Sequence, residues 1–106
     1  MRPPVLSDIE IQRALNARQG WVRKGDAIAK TFEFDTFADA IAWVNRVATA
    51  AEAAGHHPDL DIRFKVVSAS LSTHDSGGVT ILDFELARAM DELAGAPEAD
   101  GPDRGA

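Results

Sequence analysis

Three helix-start signals constrain how this chain can fold more than any other feature of its sequence. In a capping box, a Ser or Thr side chain accepts a hydrogen bond from the backbone N–H three residues later, and an acidic side chain there bonds back. The chain has three such pairs, Ser7 with Glu10, Thr36 with Asp39, and Thr80 with Asp83. Apolar residues recur at three- and four-residue spacing after the second and third pairs, which is typical of helices that bury one face.

The capping boxes and the glycines that follow them set the expected lengths of the helices. The sequence predicts helices from about Ser7 to Ala17, from Thr36 to Gly55, and from Thr80 to near Gly95. We expect Gly20 to close the first helix. A glycine such as Gly55 commonly takes the left-handed conformation at a helix end, so the chain should leave the second helix at a defined angle.

The segments between the helices are strand-like. Trp21–Arg23 predicts a short extended piece, and a turn at Lys24–Asp26 leads to a strand over Ala27–Phe34, where apolar residues alternate. Ile62–Ser72 is also extended, but its apolar residues change sides part-way along. This change indicates one long strand that is covered on both faces or bulged, or a pair of strands. The predicted fold class is α+β, an antiparallel sheet with helices on one face.

Length and composition exclude several classes of function. A chain of 106 residues supports one domain, predicted over residues 1–94, and the Gly-, Pro- and Ala-rich residues 95–106 predict a disordered tail. The absence of cysteine excludes disulfides, thiolate nucleophiles and cysteine-ligated metals. A net charge of −6 argues against direct nucleic-acid binding. Because the sequence has no signal-like or membrane-spanning apolar segment, we expect a soluble, cytoplasmic protein with no membrane partner.

All three histidines of the chain, His56, His57 and His74, lie between Glu52 and Asp83. Imidazole can both give and take a proton near neutral pH, so this grouping indicates acid/base chemistry. Glu52 precedes His56 by four positions, which is close enough for its carboxylate to reach that imidazole from the last helical turn.

Each of these residues also has a purely structural interpretation. A His-His-Pro corner at a helix end is commonly just solvated, and the capping box alone would explain Asp83. Glu52 can be a solvated helix residue, and Trp21 and Phe64 are typical of a hydrophobic core. A zinc site with three histidines is less favoured, because adjacent histidines on an extended backbone point in different directions.

A longer pattern favours the functional interpretation. The series with fixed gaps runs Glu52, His56-His57-Pro58, Phe64, His74 and Asp83. This series resembles the signature of the pterin-4a-carbinolamine dehydratase family, also known as the dimerisation cofactor of a homeodomain transcription factor. Further similar stretches are Gly20-Trp21, Phe32-Glu33-Phe34 and Ser72–Thr80. The resemblance covers roughly Ser7 to Leu93, and Phe64 stands where the family often has tyrosine.

The resemblance implies a fold, an assembly and a reaction. The fold is a four-stranded antiparallel sheet with three helices on one face, and the assembly is a homodimer or homotetramer. The reaction removes water from a small-molecule pterin substrate, 4a-hydroxytetrahydropterin, to give quinonoid dihydropterin, with no cofactor and no metal. The implied catalytic residues are His56, His57 and His74. The implied supporting carboxylates are Glu52 and Asp83, and the implied substrate-binding residues are Trp21, Ser72, Thr73 and Asp75.

We expect His56 and His74 to share the acid and base roles, and His57 to help bind or position the substrate. The alternative is a non-catalytic assembly or dimerisation factor, because relatives of this fold act in that way, including assembly factors for a carbon-fixing enzyme. Those assembly relatives tend to have lost part of the histidine motif. The motif is intact in this chain, which favours the enzyme.

Overall fold

The computed structural model describes residues 2–95, which form three helices and four strands. In chain order they are α1 (Asp8–Asn16), β1 (Val22–Lys24), β2 (Ala27–Glu33), α2 (Phe37–Ala54), β3 (Asp59–Arg63), β4 (Val66–Leu71), a single 3-10 turn (His74–Ser76) and α3 (Ile81–Gly95). The disordered tail predicted from the sequence lies outside the described residues, apart from Gly95, which is the last residue of α3. No helix within residues 2–95 is both long enough and apolar enough to cross a bilayer.

The four strands form one antiparallel sheet in the order β1-β2-β4-β3. The two central strands pair from Ile28 opposite Leu71 to Glu33 opposite Val66. This arrangement confirms the predicted α+β class. Because α2 connects β2 to β3, the two hairpins of the sheet lie on either side of this helix in the sequence.

The segment predicted over Ile62–Ser72 is a pair of strands and not one bulged strand. β3 and β4 are joined by a two-residue turn at Phe64 and Lys65, with Arg63 directly opposite Val66. The apolar residues change sides because the chain reverses there. Phe64 has a φ of 55° and is 70% exposed, so its interpretation as a core residue was wrong.

Helices cover one face of the sheet. The buried residues on that face are Ile28, Phe32, Val67, Ala69 and Leu71. The Trp43 ring of α2 packs on Phe32 with centroids 4.4 Å apart, and its indole N–H donates to the Met90 carbonyl of α3 at 3.1 Å. The opposite face carries exposed polar residues such as Thr31 and Ser68. A one-sided core of this kind fixes the ends of the strands and helices relative to one another.

The first capping box has both predicted hydrogen bonds, and α1 ends within one residue of the expected end at Ala17. Ser7 accepts from the Glu10 N–H, and the Glu10 carboxylate accepts from the Ser7 N–H. The helix stops at Asn16, and the turn that contains Gly20 follows it. In that turn the Trp21 N–H donates to the Arg18 carbonyl, and Trp21 then enters the core.

One half-buried carboxylate on α3 holds this turn against the rest of the fold. Asp91 accepts hydrogen bonds from Arg18 at 3.1 Å, from the Trp21 indole at 3.0 Å, and from Lys30 of β2 at 2.7 Å. Three donors from different parts of the chain therefore share one acceptor. Asp91 connects the α1–β1 link and the sheet to the last helix.

Candidate active site

The C-terminal end of α2 positions the first two histidines. Gly55 follows the helix with a left-handed φ of 64°, and the His56 N–H donates back to the Ala51 carbonyl at 3.1 Å. This cap turns the chain sharply away from the helix axis. As a result His56 points into the protein and is buried, whereas His57 is exposed.

Asp83 in the first turn of α3 is the partner of His56. The Nε2 atom of His56 lies 2.6 Å from Oδ1 of Asp83, whose side chain is fully buried. An ionised carboxylate can only accept hydrogen bonds, so the His56 proton lies on Nε2 and Nδ1 is the unprotonated nitrogen of the neutral ring. The carboxylate thereby fixes both the tautomer and the orientation of this imidazole.

The second oxygen of Asp83 is held by two threonines. Oδ2 accepts from the Thr73 hydroxyl and from the Thr80 backbone N–H, both at 2.9 Å. The two threonine hydroxyls are 2.7 Å apart, and Thr80 Oγ1 also accepts from the Leu82 N–H. A buried carboxylate is tolerable when its lone pairs are satisfied in this way. The capping function and the histidine contact of Asp83 are therefore both present, one on each oxygen.

Glu52 does not bond the histidine expected from the sequence. Its Oε2 lies 2.7 Å from Nε2 of His57, and His56 bonds Asp83. The reason is the turn at Gly55, which carries His56 inward and leaves His57 on the solvent side, next to the last turn of α2. The His57 and Glu52 side chains are 60% and 77% exposed, so this pair is solvated.

The third histidine comes from the loop after β4. His74 begins a single 3-10 turn that is closed by bonds from the Ser76 and Gly77 N–H groups to the Thr73 carbonyl. A bridge between Thr73 and Gly78 holds the two ends of the loop together. Since Thr73 also bonds Asp83, the loop that carries His74 is tied to the same carboxylate that holds His56.

The three histidines line one cavity of about 440 Å³. Its lining residues are Arg2, Pro3, Gly55, His56, His57, Ser72, Thr73, His74, Asp75 and Leu82. The cavity therefore collects the three predicted catalytic residues and three of the four predicted substrate-binding residues. Asp83 and Glu52 lie one hydrogen bond behind the lining histidines. A volume of this size is ordinary for a small-molecule site.

Trp21 is the predicted substrate-binding residue that the structure places elsewhere. It is 4% exposed, packs edge-on against Phe32 and donates to Asp91, and it does not line the cavity within residues 2–95. Its predicted contact with a pterin does not follow from this structure. Trp21 is part of the hydrophobic core, which was the structural interpretation of this residue in the sequence.

Four lining residues were not predicted: Arg2, Pro3, Gly55 and Leu82. Gly55 had a signal as a helix end and Leu82 as a helix residue, although neither signal pointed to a cavity. Arg2 and Pro3 are more than seventy positions from the loop that they contact, and no local pattern marks them. Within residues 2–95 no three His, Asp or Glu side chains are grouped as metal ligands would be.

Comparison with known proteins identifies the family. The family model described as pterin 4 alpha carbinolamine dehydratase matches residues 4–93. The chain belongs to the pterin-4a-carbinolamine dehydratase family. The resemblance drawn from the motif between Glu52 and Asp83 is confirmed.

Relatives of this dehydratase family match the chain over most of their length. A protein of Roseiflexus sp. (strain RS-1), provisionally named as a pterin-4-alpha-carbinolamine dehydratase, is 54% identical over 83% of this chain and 95% of its own. A similarly named protein of Nocardia farcinica is 52% identical over 89% of this chain and 99% of its own.

Two solved structures share the dehydratase fold. A transcriptional coactivator/pterin dehydratase from Brucella melitensis superimposes with a TM-score of 0.84 at 35% identity, covering 86% of this chain and 99% of that one. A pterin dehydratase-like protein described as a RuBisCO assembly factor in the alpha-carboxysome gives a TM-score of 0.59 at 25% identity, covering 71% of this chain and 87% of that one.

Proposed function

We propose that this protein dehydrates a 4a-hydroxytetrahydropterin to quinonoid dihydropterin and water, as a step in the recycling of tetrahydropterin. The observation that carries the proposal is the arrangement of three imidazoles around one cavity, two of them each hydrogen-bonded to a carboxylate. Membership of the dehydratase family supports the same reaction class.

The reaction needs two proton transfers on one small ring system. The bond between the 4a carbon and its hydroxyl oxygen breaks, and that oxygen leaves as water after receiving a proton. A ring nitrogen next to the 4a carbon loses a proton, and its electron pair forms the new carbon–nitrogen double bond. One protonated and one neutral imidazole can carry out these transfers, because histidine exchanges protons readily near neutral pH.

We assign these two roles to His56 and His74. His56 is buried in the cavity floor, its Nε2 proton is committed to Asp83, and its Nδ1 is left for the substrate. His74 reaches the same cavity from a different element, the loop after β4, so that a bound ring can be approached from two sides. His57 is exposed at the rim and paired with Glu52, which suits a residue that binds or positions the substrate.

Three neighbours of His74 complete the proposed binding surface. Ser72, Thr73 and Asp75 line the cavity, and Thr73 also holds Asp83. Their backbone is fixed by the bridge between Thr73 and Gly78. A loop held in this way can keep hydrogen-bonding groups at constant distances from a flat ligand.

A direct test follows the ultraviolet signal of a synthetic 4a-carbinolamine. We expect the purified protein to accelerate its loss, and we expect His56→Gln and His74→Gln each to lower kcat by about 10² or more. The double variant should be little worse than either single variant, because the two residues act as a unit. His57→Gln should act mainly through KM. An unchanged rate in His74→Gln, with circular dichroism showing a folded protein, would contradict the assignment.

A second candidate function is assembly of other proteins without catalysis. Similarity to the RuBisCO assembly factor favours it, at lower identity than the dehydratases. Native mass measurement after mixing with candidate partners would detect it. The homodimer or homotetramer and the cytoplasmic location predicted from the sequence stay predictions, and light scattering of the purified protein tests the first of them.

A further inference from the structure

The N-terminal segment, residues 2–6, crosses the loop that carries His74 and is attached to it along its whole length. The Leu6 N–H donates to the Val79 carbonyl at 2.9 Å, and the Ser76 hydroxyl donates to the Pro3 carbonyl at 2.6 Å. Between these two bonds, Val5 packs closely over Gly78, where an added Cβ would lie 3.1 Å from a Val5 methyl. Its first two residues, Arg2 and Pro3, line the cavity, so the segment forms part of the cavity wall.

Arg2 lies at the end of this segment and at the rim of the cavity. Its guanidinium donates to the carbonyl of Asp75, and Arg2 itself is exposed. The buried lining residues, His56 and Thr73, form the floor. A pterin whose 4a carbon is next to His56 would bind with its ring at the floor, so a ring substituent that points out of the cavity would pass the rim, where Arg2 lies.

The guanidinium of Arg2 has unused hydrogen-bond capacity. An arginine side chain carries five N–H donors in a planar fork, and the Asp75 carbonyl takes only a part of them. Within residues 2–95 five other arginine and lysine side chains form ion pairs with carboxylates, but no carboxylate lies within ion-pair distance of Arg2. Two acidic residues lie near the rim: Glu52 is paired with His57, and Asp75, whose carbonyl accepts from Arg2, lines the cavity itself. Such a fork matches the geometry of a carboxylate or a phosphate.

Resting on the proposed function, we propose that the substrate is a pterin carbinolamine with an anionic tail on its ring, and that Arg2 is the residue that selects it. The tail carries a carboxylate or a phosphate, and Arg2 binds it at the rim while the ring occupies the floor. The contact is made equally in the ground state and in the transition state. It therefore acts on substrate binding and not on the chemical step.

Binding of stable, oxidised pterins tests this selection without relying on catalysis. Three probes that differ only in the tail are titrated by pterin fluorescence: a neutral methyl, a carboxylate and a phosphate. We expect the wild-type protein to bind one or both anionic probes about 5- to 10-fold more tightly than the neutral one, an advantage that shrinks as salt is added. The anionic probe that binds more tightly identifies the chemical group on the tail.

Variants at Arg2 distinguish the effect of its charge on binding from its effect on the structure of residues 2–6. Arg2→Gln should abolish the preference for the anionic probes, and should change binding of the neutral probe by less than about twofold; Arg2→Lys should keep part of the preference. Arg13→Gln, which removes an exposed arginine of α1 that does not line the cavity, is the matched control and should keep all of it. Equal binding of all probes by the wild-type protein would overturn the proposal. Equal weakening of neutral and anionic probes by Arg2→Gln would also overturn it.

The same variants distinguish failure of this inference from failure of the proposed function. If the protein dehydrates neutral and anionic 4a-carbinolamines with the same kcat/KM, the function stands and the selection by Arg2 is wrong. If it prefers the anionic probes but dehydrates no carbinolamine, the selection stands and the proposed reaction is wrong.

Discussion

The imidazole of His56 and the carboxylate of Asp83 are joined by a 2.6 Å hydrogen bond across 27 positions of the chain. Asp83 is fully buried, and it bonds two threonines as well as the histidine. One side chain thus starts α3, fixes the loop that carries His74 and orients His56. The proposed catalytic geometry and the packing of the last helix are consequently coupled.

Asp83→Asn should lower both the rate of dehydration and the stability of the folded protein. An amide presents a donor as well as an acceptor, so either the His56 tautomer changes or one of the bonds to Thr73 and Thr80 is lost. We expect kcat to fall by about 10² or more, and the free energy of unfolding to fall by about 1–3 kcal/mol. Stopped-flow kinetics and urea unfolding measure the two effects.

The control for Asp83 is Asp91→Asn, the same chemical change two turns further along α3. It should lower stability but leave kcat per folded molecule unchanged, because none of the three side chains that donate to Asp91 lines the cavity. A loss of kcat in Asp91→Asn equal to that in Asp83→Asn would contradict the specific role of Asp83.

Glu52→Gln should have little effect on folding. The bond between Glu52 and His57 is exposed at both ends, and exposed ion pairs contribute about 0–1 kcal/mol. We expect urea unfolding to be nearly unchanged, and KM to rise by a small factor if His57 positions the substrate. A fall in kcat as large as that of Asp83→Asn would show instead that His57 takes part in proton transfer.

Asp91→Ala tests how strongly the α1–β1 link depends on one carboxylate. Its removal leaves Arg18, Trp21 and Lys30 without their shared acceptor, and the indole is buried. We expect a loss of about 1–3 kcal/mol in the free energy of unfolding, because a buried donor is left unsatisfied, and a change in tryptophan fluorescence.

The neighbouring acid on α3 supplies the comparison for Asp91. Glu92 forms an exposed pair with Arg88, so Glu92→Ala should change stability by less than about 0.5 kcal/mol. Similar losses from the two substitutions would mean that the three bonds to Asp91 add nothing beyond a surface charge.

Glu10 should make the stability of the protein sensitive to acid. The hydrogen bond from the Ser7 backbone N–H holds the pKa of Glu10 below its ordinary value. A lowered pKa in the folded state adds stability above the ordinary pKa, and this contribution disappears as the pH falls through the folded-state pKa. The stability advantage of the wild-type protein over Glu10→Gln should therefore be present at about pH 7 and shrink as the pH falls below the ordinary pKa of glutamate. An advantage that stays constant over this range, measured by urea unfolding, would contradict the assignment.

The amino-acid pattern was enough to locate the starts of the helices and to identify the family. Capping boxes are read between residues three apart, so Ser7, Thr36 and Thr80 could be assigned without any knowledge of the fold. The three helices followed from them, and the strands followed from the pattern of apolar residues between the helices. The fixed spacing of the histidine motif then indicated the dehydratase family, which the comparisons confirm.

The turn between β3 and β4 could not be predicted from the sequence, because it lacks the residues that usually mark turns. Phe64 and Lys65 reverse the chain between β3 and β4 with no Gly, Asn or Asp at the turn. The sequence therefore showed only that the apolar pattern changed sides. A strand pair and a bulged strand give the same change, and pairing with neighbouring strands decides between them.

Which side chains meet in the site depends on the folded arrangement of the helices and strands. Sequence proximity favoured Glu52 as the partner of His56, but the left-handed turn at Gly55 directs His56 to Asp83 on another helix. Trp21 lies in the core with Asp91, and Arg2 lies at the cavity rim, more than seventy positions from the loop it bonds. Hydrogen bonds between distant residues depend on how whole elements pack, and packing is a property of the folded chain and not of any short stretch of it.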